Sequence, residues 1–583
     1  MTIKKFTKAI YKRLKRISFR EVSTYCKLHS YWNKRHDFYL PPQAFGCSLE
    51  EYEKQKAYSF PQNIKFSILV PLYNTPEDFL KEMIGSVIFQ TYENWELCLA
   101  DGSDENHKNV EEVCRSISNQ DKRIKYLKLS ENKGISENTN ACIKMATGDF
   151  ISLFDHDDLL HPCALFETMK AICEKEADFV YTDEVIFQSP NLQKINNTNF
   201  KPDFAPDYFC GTNYLCHFSS FKKTLLDSIG NFDSTTDGAQ DYDLFLRLSE
   251  KAQKIVHVSK CMYYWRASPT STANSIGTKT YAIEAGKRAL EKHYKRIAVD
   301  AEVQICKNIL YRTKYKINSQ PKISIIIINK NKKKTCECIN SILEKTTYSD
   351  FEILVVDKLI NFETLINDQR IHSFINKNNR RNSELLNQAS CYAKGEYLVF
   401  LDSNTKIISS EWLEEMLMFA QRTNTGAVGA KLINNDETIH NAGVFIGIHG
   451  LFGISHKNQS ALENGYAFRT ALVQNFNAVT AECMMVSKKV FIEMKQFSNE
   501  YNDSLYDIDF CLKLRKANFL VVWTPFSQLK YLGRNITKEN NKDKKTFINK
   551  WYSYLLYCDE YYNPNLTKRR DDFRITGMIY PKD

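Results

Sequence analysis

No stretch of this chain reaches the roughly 18 consecutive apolar residues that a bilayer-spanning helix needs, so the sequence predicts no membrane span. Glycine (20) and proline (14) are sparse for 583 residues, which excludes collagen-like and low-complexity architectures. The 17 cysteines form no C-x-x-C pair and no Cys/His spacing suited to zinc. With no recognisable secretory signal, they are expected as reduced thiols of a cytoplasmic protein. What is present is a hydrophobic fraction of 43% and an aromatic fraction of 13%, enough for sizeable cores. The length implies about two to four domains.

The net charge of +10 is concentrated at one end. Residues 1–20 carry eight Lys and Arg, from Lys4 to Arg20, and no acidic residue, whereas the rest of the chain is close to neutral. Ile3, Phe6, Ile10, Leu14 and Ile17 recur in this arm at helical spacing. A basic helix with an apolar stripe suits an anionic membrane surface, and a helix docked on the protein's own body is the alternative. A near-neutral body offers no extended basic face, so nucleic acid is not expected as a partner.

The chain repeats itself. Lys65–Asn74 (KFSILVPLYN) resembles Lys322–Asn331 (KISIIIINKN), each an apolar run breaking into polar residues, as in a strand buried on both faces of a parallel sheet. Glu96–Asp101 matches Glu352–Asp357, a second strand with Asp at its carboxyl end. Asn140 and Gly148 correspond to Asn387 and Gly395, and Asp155 to Asp402. Finally Gln240–Arg247 (QDYDLFLR) parallels Tyr506–Lys513 (YDIDFCLK). Strands alternating with helices argue for two tandem doubly wound α/β domains. The expected division is a basic extension over 1–60, a first domain over 61–305, a linker over 306–320, a second domain over 321–540 and a helical tail over 541–583.

Open α/β sheets bind ligands at the carboxyl ends of their strands. Tyr73 and Asn74 end the first strand, Asp101 the second, and Asp155-His-Asp-Asp158 a later one. Three carboxylates in four residues repel one another unless a cation neutralises them, and hard oxygen ligands favour Mg2+ or Mn2+. A solvated Asp-rich turn or helix cap is the plainer alternative.

Pro71-Leu-Tyr-Asn74, Asp101-Gly-Ser103, Asn132-Lys-Gly134, Asp155-His-Asp-Asp158 and Gln240-Asp241 together resemble the family 2 glycosyltransferases of GT-A fold. The likeness is greatest to tandem-domain bacterial members that build O-antigen, capsule and rhamnose-rich polysaccharides, and it spans roughly 60–300 and 320–535. It implies inverting transfer of a sugar from a nucleotide-diphosphate donor (a UDP- or dTDP-sugar) to a glycan or lipid-linked acceptor, at the inner face of the cell membrane. Carried over, Pro71, Tyr73, Asn74, Asp101, Asn132, Gly134 and Asp155 would bind the donor. Tyr73 would stack on the base, Asp101 would accept from its imide N–H, and Asp155 would meet the ribose. Asp155 and Asp157 would hold the metal, which offsets charge on the leaving diphosphate. Asp241 would be the general base. Arg266 would pair with phosphate, ahead of a Ser268–Ala273 segment resembling the one that closes over it. Many family members have His where this chain has Tyr264, which leaves the third metal ligand open.

The second copy keeps Asp357, Asp402 and Asp507, but Asn404 and Thr405 stand in place of Asp157 and Asp158, and Arg381 in place of Gly134. One carboxylate plus an amide binds Mg2+ weakly. Two expectations follow: a non-catalytic copy that binds acceptor glycan or braces the first, or a second transferase with an altered metal site. A wholly non-catalytic nucleotide-sugar or glycan-binding protein is the alternative of another class.

Overall fold

The computed structural model describes residues 42–189, 191–267, 280–306, 310–357, 366–375, 381–533, 540–557 and 559–575. The basic arm at 1–20, the Ser268–Ala273 segment and residues Lys358 and Leu359 lie outside them.

The first sheet is built from β1 (Phe66–Leu72), β2 (Trp95–Asp101), β3 (Ile124–Lys128), β4 (Phe150–Leu153), β5 (Leu159–Leu160), β6 (Phe179–Gln188), β7 (Asn191–Asn199), β8 (Ser219–Lys222) and β9 (Ile255–Ala267). Its order is β3-β2-β1-β4-β8-β6-β9-β5, with β7 added to β6. A hairpin, β10 (Ala301–Ile305) and β11 (Tyr311–Tyr315), follows, so the stretch expected as a linker contains a strand. The second sheet uses β12 (Ile323–Ile328), β13 (Phe351–Asp357), β14 (Ile371–Ile375), β15 (Tyr397–Asp402), β16 (Thr405–Ile407), β17 (Thr425–Asn434), β18 (Ile439–Asn441), β19 (Val444–Ile446), β20 (Phe452–Ile454), β21 (Gln474–Phe476), β22 (Cys483–Ser487) and β23 (Leu520–Tyr531). Of these, β19 and β20 form a separate two-stranded sheet, leaving ten strands in the main one. The main order is β14-β13-β12-β15-β22-β17-β23-β16, strand for strand the first order over again. The duplication read from the sequence is thus a duplication of topology.

In each sheet the first four strands are parallel, and β8 or β22 inserts antiparallel beside them. Strand β1 is buried along its whole length because helices cover both faces of a parallel sheet. On one side lie α1 (Glu77–Ile88), burying Leu80, Met83, Ile84 and Val87, and α2 (Lys108–Gln120). On the other lies α3 (Ile135–Met145), with Cys142 and Ile143 against Leu69 and Cys98. Helix α4 (Gln240–Ser249) stands at the ligand end, followed by α5 (Thr280–Arg296). Their second-domain counterparts include α6 (Lys332–Lys345) and α7 (Tyr506–Lys516).

The repeated glycines have a packing cause. A Cβ on Gly148 would lie 2.6 Å from the Lys65 carbonyl, and one on Gly395 would lie 2.6 Å from the Ser324 amide. Beside each runs a buried carboxylate. Glu96 accepts hydrogen bonds from Ser67 Oγ (2.7 Å) and Thr147 N (2.5 Å), and Glu352 accepts from Ser324 Oγ (2.6 Å). Burial would raise the pKa of Glu96, but Lys65, Thr147, Ser67 and Lys125 more than reverse that and hold it at about 2.

The two sheets share one apolar core. Arg422 pairs in bidentate fashion with Asp207 across the interface (2.6 and 3.1 Å), and Asn475 donates to the same carboxylate at 2.7 Å. The tail forms α8 (Asn541–Leu556) on the second domain and then returns to the first. There Asn563 Nδ2 donates to Asp183 (2.8 Å) and to the Lys201 carbonyl (2.9 Å).

Candidate active site

The carboxyl end of β1 opens into a turn because Asn74 adopts a left-handed conformation (φ 51°), which Asn tolerates better than most residues. Pro71 is accommodated in a central strand because the β1–β4 ladder ends at Leu69↔Leu153, so its missing N–H breaks no pairing there. Asn74 N donates to Ser103 Oγ (2.9 Å), and Asn74 Nδ2 donates to Asp104 (2.9 Å), locking the β1 and β2 ends together. Tyr73 stands out of this turn, 47% exposed.

Asp101 differs from its expected part. Its carboxylate is wholly buried and accepts from Ser103 N (2.8 Å), Tyr126 Oη (2.8 Å) and Lys128 Nζ (3.1 Å). In this structure it braces the loop, and its full burial keeps it from facing solvent. Asn132 shapes the next loop, accepting from Gly134 N (3.1 Å) and Asn138 Nδ2 (2.8 Å). Gly134 starts α3 at φ +95°, and a Cβ there would come within 2.8 Å of Asp237 Oδ2, so the position favours glycine twice over.

The acidic motif fills the turn from β4 to β5, and its three carboxylates separate by environment. Asp158 is buried, accepting from Tyr263 Oη (2.5 Å) and Arg266 N (2.7 Å). Burial, with Asp157 and Asp155 beside it, pushes its pKa well above the carboxylate range. Asp155 and Asp157 remain partly exposed at the β4 end. Burial raises the pKa of Asp155; the neighbouring His217 opposes this, while Asp157 and Asp241 add to it.

Arg266 also departs from expectation. Its guanidinium is 1% exposed, sandwiched between the Phe79 and Phe187 rings, and donates to Asp157 O (2.5 Å), Ser189 Oγ (2.8 Å) and Glu82 (2.7 Å). With its three kinds of nitrogen all engaged by protein acceptors, it supports the acidic turn from below instead of facing a phosphate. Tyr264 is likewise a core aromatic, edge-on to Phe45 at 5.0 Å.

Asp241 opens α4. Its Oδ1 accepts from Tyr242 N (2.8 Å), and its Oδ2 accepts from Asn213 Nδ2 (3.1 Å) and the Cys216 thiol (3.0 Å). Asp243, two residues on, is buried in an ion pair with Arg247 (2.8 Å), so only the first Asp of the pair faces the cleft. Asn213 Oδ1 is buried without a hydrogen-bond partner among the described residues. Sequence reading missed the segment holding these groups, Asn213–His217, because nothing in its spacing marks it. Its last residue, His217, stacks on Tyr263 (4.7 Å between ring centres) and brings Nε2 to 3.8 Å from Asp155 Oδ2. One short segment therefore touches both the acidic motif and Asp241.

Among the described residues no three His, Cys, Asp or Glu side chains gather closely enough to enclose a metal ion. Asp155 and Asp157, both partly exposed oxygen donors, are the residues that would hold Mg2+ or Mn2+ here.

In the second domain the same strand ends are filled differently. Asp357 is buried and hydrogen-bonded by Asn329 Nδ2. Asp402 is ion-paired with Lys330 (2.8 Å). Asp507 accepts from Ala481 N and Ile508 N (2.9 Å each) at the start of α7, the place Asp241 holds in α4.

The profile described as Glycosyl transferase family 2 matches residues 67–235 and again 324–491. The uncharacterized protein y4gI of Sinorhizobium fredii is 35% identical over 88% of this chain, and the O-antigen biosynthesis protein RfbC of Myxococcus xanthus is 29% identical over 87%. The chain spans 58% and 40% of the lengths of those two proteins. A crystal structure of S. aureus TarS with UDP-GlcNAc covers 40% of this chain and 66% of its own, at 21% identity and a TM-score of 0.33. Two ordered matches on two sheets of the same topology make the conclusion plain: the chain belongs to Glycosyl transferase family 2 and carries its GT-A domain twice in tandem.

Proposed function

We propose that the first domain is an inverting glycosyltransferase that moves a sugar from a nucleotide-diphosphate donor to a growing surface polysaccharide or lipid-linked glycan. The observation that carries this reading is the segment Asn213–His217, which links Asp241 to Asp155 across one cleft. Tyr73 offers an exposed ring to the base of a UDP- or dTDP-sugar at the β1 end. Asp155 and Asp157 would hold Mg2+ or Mn2+, which when bound supplies Lewis-acid stabilisation of the departing diphosphate.

Asp241 receives the proton of the acceptor hydroxyl as that oxygen attacks the anomeric carbon and the bond to the diphosphate breaks. Asn213 and Cys216 fix the orientation of the receiving carboxylate. A single displacement inverts the anomeric centre and needs no covalent intermediate. Attachment to the inner face of a membrane through residues 1–20 belongs to the same proposal, and the described residues include no helix long and apolar enough to cross a membrane.

The test is release of nucleoside diphosphate from a panel of nucleotide sugars in Mn2+, with and without EDTA. Asp241→Asn is expected to lower kcat by about 10^2–10^4-fold while leaving Mn2+-dependent UDP binding intact. Asp157→Ala is expected to abolish that binding. Turnover unchanged in both variants would refute the assignment.

A further inference from the structure

The second cleft repeats the first with its charges exchanged. In the aligned strands Lys330 takes the place of Tyr73, Asp402 that of Asp155 and Asn404 that of Asp157. Lys330 Nζ lies 2.8 Å from Asp402 Oδ2, and Lys334, in the first turn of α6, donates to Asn404 Oδ1 and the Leu532 carbonyl at 2.9 Å each. Two ammonium groups of the chain itself thus sit on the oxygens of the old acidic motif, and a divalent ion would meet positive charge there.

Strand register adds another exchange. The β4–β8 and β15–β22 ladders put Glu482 where the first domain has His217. Glu482 is held by His440 Nε2 (2.9 Å), Asn441 Nδ2 (3.0 Å) and Thr480 Oγ1 (3.0 Å), and the His440 ring stacks on Tyr531 at 3.7 Å.

Beyond Tyr531 opens a cleft of about 380 Å³ lined by Asn434, Asn435, Asp436, Thr438, Asn458 and Tyr531. Gly533 closes it; a Cβ there would lie 2.4 Å from the Tyr531 ring, so glycine lets the backbone pass over that ring. Part of the lining is held in place internally. Asp436 Oδ1 accepts from Thr438 N (3.1 Å) and Oγ1 (2.6 Å), and Asn434 Nδ2 donates to Thr438 Oγ1 (3.0 Å). Asp436 is the one charged residue of the lining, and the neighbouring Lys530 is paired with Glu437. The lining holds no cation to attract a phosphate-bearing ligand. Amides, a carboxylate and hydroxyls instead match vicinal sugar hydroxyls, each of which donates and accepts.

We propose that the second domain carries a metal-independent carbohydrate site at this cleft, binding neutral, hydroxyl-rich sugar units of the glycan acceptor and no nucleotide donor. The proposal rests on the transferase reading only in calling that glycan the acceptor.

Saturation-transfer NMR on the full chain tests it, with the methyl glycosides of glucose, galactose, N-acetylglucosamine and rhamnose in EDTA. Transfer to at least one glycoside is expected, unaltered when Mg2+ and UDP replace EDTA. It is expected to fall about fivefold in Asp436→Ala, the effect of one lost hydrogen bond. It is expected to vanish in Asn435→Trp, which fills the cleft from an exposed position, and to persist in Asp157→Asn. Absence of transfer to all four glycosides, transfer undiminished in both cleft variants, or a requirement for Mg2+ overturns the proposal. Calorimetry of Mn2+-dependent UDP binding on the same samples separates the two readings. UDP binding without sugar binding sinks only the second site, and sugar binding without UDP binding sinks only the donor site.

Discussion

At the scale of single residues, neighbours in sequence have divided between exposed and buried surroundings. Asp155 and Asp157 face the cleft while Asp158 is spent internally on Tyr263 and the Arg266 backbone. Asp241 faces it while Asp243 pairs with Arg247. Arg266 is the plainest case of a residue whose type suggested ligand contact and whose burial gives it another task. It ties β9 to the acidic turn and to Glu82 on α1. Arg266→Ala would leave Glu82 and the Asp157 carbonyl unpaired, a loss of about 3 kcal/mol as for other broken buried pairs. The expected result is a lowered thermal midpoint that Arg266→Lys does not restore, since Lys cannot reach three acceptors in one plane. A midpoint unchanged in both variants would contradict this role.

At the scale of elements, the sheet ends are set by close backbone approaches that recur in both copies. Gly148 and Gly395 let the strand after each α/β crossover lie against the first strand of its sheet, with Glu96 and Glu352 capping the junction. Gly148→Ala forces its Cβ onto a backbone carbonyl that no rotamer change relieves. A cost of about 1–3 kcal/mol is expected, as for other overpacked sites. Gly395→Ala should cost a similar amount, because the approach distances match. Denaturant midpoints of the two variants check this, and a neutral effect at either site would show that the sheet relaxes there.

At the scale of the whole molecule, one buried cluster joins the first domain to the tail. His257 lies between Asp183 (2.8 Å) and Asp203 (3.2 Å), and Asp183 also accepts from Asn563 of the tail. Burial alone would lower the pKa of His257, but the two carboxylates raise it to about 9. A folded-state pKa above the unfolded value of roughly 6.5 means the stabilisation is fully present below that pH and is lost as pH rises through about 9. Thermal melts should therefore hold steady up to about pH 6.5 and decline from there to about pH 9, with the decline reduced in His257→Gln. An equal decline in that variant would place the titration elsewhere.

The order of blocks along the chain was enough to read the doubled α/β architecture, since buried parallel strands and their polar ends are local patterns of hydrophobicity. The same patterns marked the acidic turn and the start of α4. Which carboxylate of each group stays exposed was settled largely by packing at long range, because Tyr263 and Arg296 arrive from distant parts of the chain, while Arg247 reaches Asp243 from the next turn of α4. Asp101 and Arg266 could not be read correctly from type and spacing, as their partners come from β3 and α1. His217 and Asn213 carried no signal in spacing at all; a short segment gains meaning only where the fold lays it between two sheet ends. The lysines on the second acidic motif were visible as residues, but that their ammonium groups rest on Asp402 and Asn404 is a fact of three-dimensional proximity.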